Sequence, residues 1–197
     1  MSLSPILAPK PKDFRNLPIR HPLDVEIGCG VGFHPIRYAI ENPNRMLWAF
    51  ERTEEKFEKF SRRLEKHPQI SNIEAVRGDG VLWIAHLQLQ EIIERLFLLY
   101  PNPHPKNSQK NLRFHNMELF GHVVRALKVG GTIILATNEL FYRQEARAVM
   151  AERWGLELVS DAPWDGMPRT HFEKKYRARG EICWNLEWKK ASACREN

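Results

Sequence analysis

The sequence predicts an α/β fold, a mostly parallel, doubly wound sheet with helices on both faces. Three observations predict it. Short apolar runs alternate with charged, amphipathic stretches, which is the pattern of strands alternating with helices. The first apolar run, Leu23–Ile27, breaks into the turn Gly28-Cys29-Gly30-Val31-Gly32 and continues as a helix-like stretch, Phe33–Ile40. An acid, Glu51, closes the second run 19 residues past Gly32. A strand, a glycine turn and a helix N-terminus, with an acid at the next strand end, form a nucleotide site at the carboxyl edge of a parallel sheet.

The glycine turn decides the ligand class. Glycine is required where a backbone turns tightly or comes within contact distance of a ligand. The spacing here is G-x-G-x-G, and Glu26 stands just before the first glycine. A carboxylate there repels a pyrophosphate and attracts an ammonium or sulfonium group. Glu26, Gly28, Gly30 and Gly32 therefore point to S-adenosylmethionine rather than a dinucleotide.

Residues 1–22 carry Pro5, Pro9, Pro11, Pro18 and Pro22 with four cations against Asp13. They read as a tail or draped arm without regular structure, serving either as an RNA-contacting arm or as a disordered terminus. Asn42-Pro43-Asn44 breaks the first helix, and Met46–Phe50 is the second strand. Glu51 at its end is placed for ribose hydroxyls. Thr53 caps a helix over 54–66 whose Phe57, Phe60 and Leu64 face inward. Asn72–Val76 is the third strand, and Asp79 beyond it is placed to accept from an adenine amino group. Residues 81–93 read as a helix and Arg95–Tyr100 as the fourth strand. The latter runs into Pro101-Asn102-Pro103-His104-Pro105-Lys106, where three alternating prolines hold Asn102 and His104 in place. An amphipathic helix over 112–127 ends at a glycine C-cap, Gly130-Gly131. The fifth strand, Thr132–Thr137, closes on Asn138; a helix over 139–154 and a short strand, Leu156–Ser160, follow. Residues 169–173 and 180–188 read as the last, antiparallel strands, with Lys174, Lys175, Arg177 and Arg179 in the loop between them as a candidate phosphate-binding surface.

The 197 residues suit one domain with a sizeable core, and no apolar run reaches the ~20 residues of a membrane span. No secretory leader is expected, because the start lacks a charged segment followed by a long apolar one. Cys29, Cys183 and Cys194 are odd in number and widely spaced, which suggests reduced cytoplasmic thiols rather than a disulfide framework or a zinc site. No metal is expected, since His104 has no second ligand at a useful spacing. A net charge of +6 favours an anionic partner.

VEIGCGVGF, Phe50-Glu51, YPNPHPK, KVGGTIILATN and RTHFEKKYRARG resemble, in order and spacing, the bacterial tRNA (guanine-N7-)-methyltransferase family over residues 23–188. The resemblance implies a Rossmann-like class I methyltransferase fold, a mostly parallel seven-stranded sheet whose last strand is antiparallel. It implies a cytoplasmic enzyme, monomeric or homodimeric, that methylates N7 of a guanine in the tRNA variable loop with S-adenosylmethionine. By position Glu26, Glu51 and Asp79 match the family's cofactor contacts. Asn102 falls where the family has a catalytic aspartate near the cofactor. Lys106, Asn138, Thr170 and Glu173 match substrate contacts. The methyltransferase domain would span 23–190, between the arm and a tail at 191–197. The family core P-D-P-W-P-K is here P-N-P-H-P-K, and T-D after the fifth strand is Thr137-Asn138. These departures leave two other readings: a methyltransferase redirected to another RNA or a small molecule, and a non-catalytic cofactor- or RNA-binding homologue.

Overall fold

The computed structural model describes residues 3–191; Cys194 and most of the expected tail lie outside them. The strands are β1 (Leu23–Ile27), β2 (Met46–Glu51), β3 (Ile73–Arg77), β4 (Ile93–Leu99), β5 (Leu127–Thr137), β6 (Leu156–Pro163) and β7 (Trp184–Lys190). The helices are α1 (Phe33–Glu41), α2 (Glu54–Leu64), α3 (Gly80–Leu87), α4 (Phe120–Ala126), α5 (Leu140–Glu152) and α6 (His171–Ala178). One seven-stranded sheet has the order β3-β2-β1-β4-β5-β7-β6. β7 is antiparallel to both its neighbours, and the other strands share one direction.

The strand order reverses between β1 and β4. That switch point opens a crevice beyond the carboxyl ends of the strands. β1 and β2 are buried along their whole length because helices cover both faces of the sheet, and β2 reads as a near-continuous apolar run. Trp48, Trp83, Trp188, Tyr142, Phe50 and Phe60 are among the largest fully buried side chains. A buried acid in β1 is neutralised locally: Asp24 accepts two 2.6 Å bonds from the Arg45 guanidinium and a third from the Tyr38 hydroxyl.

Residues 3–22 form no helix or strand, and they lie along the domain. Phe14 packs 5.5 Å from Trp83, Leu17 is buried, and the Trp48 indole donates to the Pro18 carbonyl at 2.9 Å. The arm is thus the outer wall of the core on the α3 side.

Three expected elements differ. The helix expected over 81–93 stops at Leu87, because Gln88 turns into the left-handed region, and Ile93 already belongs to β4. The helix expected over 112–127 is two 3-10 turns, Asn107–Leu112 and Phe114–Asn116, followed by α4. Arg113, His115 and Asn116 turn inward there, and tertiary contacts override helix periodicity. Lys128-Val129-Gly130-Gly131 belongs to β5 instead of capping a helix. Residues 169–173, expected as a strand, enter α6: Thr170 is its N-cap and accepts from the Glu173 N–H at 3.1 Å. The T-x-x-E spacing is a capping-box signal, and it places the basic cluster on a helix.

Candidate active site

The glycine turn is built from the end of β2. The N–H groups of Gly28 and Cys29 both donate to the Phe50 carbonyl, at 2.8 and 2.9 Å. Gly28, Gly30 and Gly32 have φ of 81°, 61° and 83°, in the left-handed region that side chains disfavour. A Cβ on Gly28 or Gly30 would meet open space, so their backbone faces the crevice. A Cβ on Gly32 would stand 2.1 Å from the Phe60 ring, so this glycine serves helix packing.

Two carboxylates flank the turn. Glu26, 1 % exposed, accepts from the Nδ1–H of His34 at 2.8 Å. Glu51 accepts from the N–H groups of Gly30 and Thr53, at 2.9 and 2.7 Å, which ties the turn to the start of α2. Their charge is felt between them. Burial, then Glu26 and Glu51, push the Cys29 thiol well above its usual pKa. Asp79 caps α3 through Leu82 N–H at 3.1 Å. All three acids line one cavity of about 400 Å³ together with Gly28, Gly30 and Asn102.

The far wall is the turn after β4. Tyr100 has φ of 55°, rare for a bulky residue and a form of backbone strain that surrounding contacts must hold. Two contacts hold it: its N–H donates to Ala136 at 2.8 Å, and its hydroxyl donates to Glu173 Oε1 at 2.8 Å. Asn102 Oδ1 accepts from the His104 N–H at 3.3 Å. Arg113, 4 % exposed, donates to the His104 carbonyl through Nε (3.1 Å) and Nη2 (2.9 Å), and its Nη1 lies 2.6 Å from Glu145. Prolines and this buried guanidinium together fix the loop that carries Asn102. Partial burial, then Arg52 and Arg113, lower the His104 pKa, so its ring is neutral at pH 7.

Of the substrate positions, only Thr170 lines the cavity. Glu173 is fully buried and points inward, accepting from the Arg169 N–H at 2.6 Å and the Arg169 guanidinium at 2.8 Å. Burial opposes its charge, but Arg169 and Tyr100 outweigh it and hold the carboxyl below its usual pKa. Asn138 donates to Glu181 at 2.8 Å. Asn138, Lys106, Glu173 and Gly32 are not among the cavity walls. Sequence reasoning missed Tyr100, His34 and Arg113. Position gave a hint only for Tyr100, which directly precedes the proline segment.

A methyltransferase family model, Methyltransf_4, matches residues 20–186. A tRNA (guanine-N(7)-)-methyltransferase of Azorhizobium caulinodans is 30 % identical over 164 residues, covering 80 % of this chain and 70 % of the relative. One from Zymomonas mobilis is 29 % identical, covering 86 % and 75 %. The chain belongs to the tRNA (guanine-N7-)-methyltransferase family. Among solved structures, the 16S rRNA methyltransferase KamB matches with a TM-score of 0.64 at 16 % identity, covering 86 % of this chain and 88 % of that one, and so shares the fold.

This family member is a methyltransferase of the class I fold, with S-adenosylmethionine as methyl donor. The residues present fit that donor. Gly28 and Gly30 leave an open cradle against the backbone. Glu26 and Glu51 bring two carboxylates to the same cavity, which suits a sulfonium and an ammonium. Glu26 would hold the amino-acid end, Glu51 the ribose and Asp79 the adenine. Among the described residues no group of three or more His, Cys, Asp or Glu side chains is arranged to hold a metal ion, and no helix is long and apolar enough to cross a membrane.

Proposed function

We propose that this methyltransferase modifies N7 of a guanine in the variable loop of tRNA. The observation that carries the reading is the position of Asn102. It stands in the same cavity as Glu26, Glu51 and Asp79, on a turn held by Arg113 and by the Tyr100–Glu173 bond. When bound, S-adenosylmethionine supplies an electrophilic methyl group on a sulfonium.

N7 of neutral guanine carries an in-plane lone pair and no proton, so its methylation requires no general base. What the chain must supply is alignment, and a rigid turn converts that alignment into rate. The product purine is cationic. Asn102 meets that charge with the dipole of its side-chain oxygen, and its amide can also donate to a base edge. His104, neutral at pH 7, places no opposing charge beside the reacting nitrogen. Lys106, Asn138 and the cations of α6 lie outside the cavity, where they suit the tRNA backbone rather than the reacting base. Work on tRNA places the protein in the cytoplasm.

The test is transfer from labelled S-adenosylmethionine to bulk tRNA from cells lacking this modification, followed by digestion to nucleosides and mass spectrometry. N7-methylguanosine is the expected product. A different methylated nucleoside, or no transfer with cofactor binding intact, would overturn the assignment.

A further inference from the structure

Three elements bring rings and cations together at the mouth of the cavity. Phe33, the first residue of α1, is 44 % exposed. The Arg63 guanidinium, from the last turn of α2, lies 3.8 Å from the centre of its ring. Arg63 is itself anchored, donating from Nε to the Val31 carbonyl at 3.1 Å. His171, which opens α6, has its ring centre 6.3 Å from that of Phe33 and 4.0 Å from that of Phe172. Phe33, His171 and Phe172 line the cavity, as does Lys56. The aromatic run continues inward: Tyr176 stacks on Phe172 at 6.2 Å and meets Tyr100 at 5.5 Å, two residues from Asn102.

The same rim is electropositive. Partial burial, then Lys56, Lys175 and Arg63, hold the His171 pKa below its usual value. Lys56, Lys175 and Arg63 thus lie near enough to disfavour a charge on the His171 ring. Exposed aromatic faces interleaved with cations are what a single-stranded nucleic acid recognises, because every base has a π-face and every nucleotide a phosphate. A guanine whose N7 must reach into a cavity leaves its own stack. A ring at the entrance that takes up a base offsets part of that cost.

We propose that Phe33, backed by Arg63 and flanked by His171, stacks one unstacked nucleobase of the RNA substrate at the entrance to the cavity. The proposal rests on the RNA reading above and adds a contact that none of the family-matched positions supplies. Lys56 and Lys175 would take the adjoining phosphates.

The experiment is binding of unmodified tRNA by fluorescence anisotropy across a salt series. It compares wild type, Phe33→Ala, Phe33→Trp and Lys56→Ala, with thermal unfolding to show that each variant folds. Stacking is insensitive to salt and phosphate contacts are not. Phe33→Ala should weaken binding by about tenfold or more at every salt concentration, giving a line parallel to wild type. Phe33→Trp should restore it, and Lys56→Ala should flatten the slope by roughly one phosphate contact. If wild type binds tRNA and Phe33→Ala superimposes on it, the stacking role is wrong while the function stands. If wild type binds no tRNA at any salt concentration, the function and the stacking role both fall.

Discussion

In the proposed reaction Asn102 would set the electrostatic limit of the site. Its amide would meet a developing purine cation with a dipole, where a carboxylate would supply a full charge. Loss of one preorganised stabiliser typically costs 10²–10³ in rate. Asn102→Asp should therefore raise the single-turnover rate of methyl transfer to tRNA, by about tenfold or more; an equal or lower rate would show that Asn102 acts only by orientation. The shared cavity of Glu26, Glu51, Asp79 and Asn102 was legible because each lies at or just past the carboxyl end of a parallel strand, along the edge where the crevice opens. Tyr100, His34 and Arg113 were not. The partner of Tyr100 is 73 residues away. The contact by which Arg113 holds the loop is to a backbone carbonyl, which leaves no mark in a sequence. Glu173 was singled out by resemblance as a substrate contact, whereas its carboxylate is buried against Arg169 and Tyr100.

Among the elements, β2 was predicted closely because burial along its whole length writes it as an apolar run. The segment 107–116 was not, because its inward residues, Arg113, His115 and Asn116, are polar. Arg113 and His115 both contact Glu145 of α5, at 2.6 and 2.9 Å. Partial burial opposes the charge of Glu145, yet bonds from His115, Arg113 and Asn116 bring its pKa from 4.5 to about 2. A depressed carboxyl contributes stability above its unfolded value and loses it as pH falls towards the folded one. Wild type should therefore lose stability between about pH 4.5 and pH 2 more steeply than Glu145→Gln, measured by urea unfolding. Glu145→Gln should be the less stable of the two at pH 7, because it leaves the buried Arg113 short of a charge partner. Parallel pH profiles would remove Glu145 from this role. Residues 169–173 lead into a helix instead of the expected strand because Thr170 and Glu173 carry a T-x-x-E capping signal.

For the molecule as a whole, the arm packs against the core on the α3 side. Composition suggested either RNA contact or disorder for residues 1–22, because proline and charge say nothing about a groove waiting on α3. Phe14 and Leu17 instead extend the core. Deleting residues 1–22 should cost about 2–4 kcal/mol of unfolding free energy, from the lost burial of Phe14 and Leu17 and the exposure of the apolar surface beneath them. A truncated protein of unchanged stability but weaker tRNA binding would return the arm to RNA contact. The proposed accepting atom is N7 of guanine. The most direct measurement compares methyl transfer to a tRNA whose variable-loop guanine is intact with transfer to the same tRNA carrying 7-deazaguanine at that single position, where a C–H replaces the nitrogen. Methylation of the first and none of the second is the predicted result. Equal methylation of both would contradict it and move the reaction to another atom.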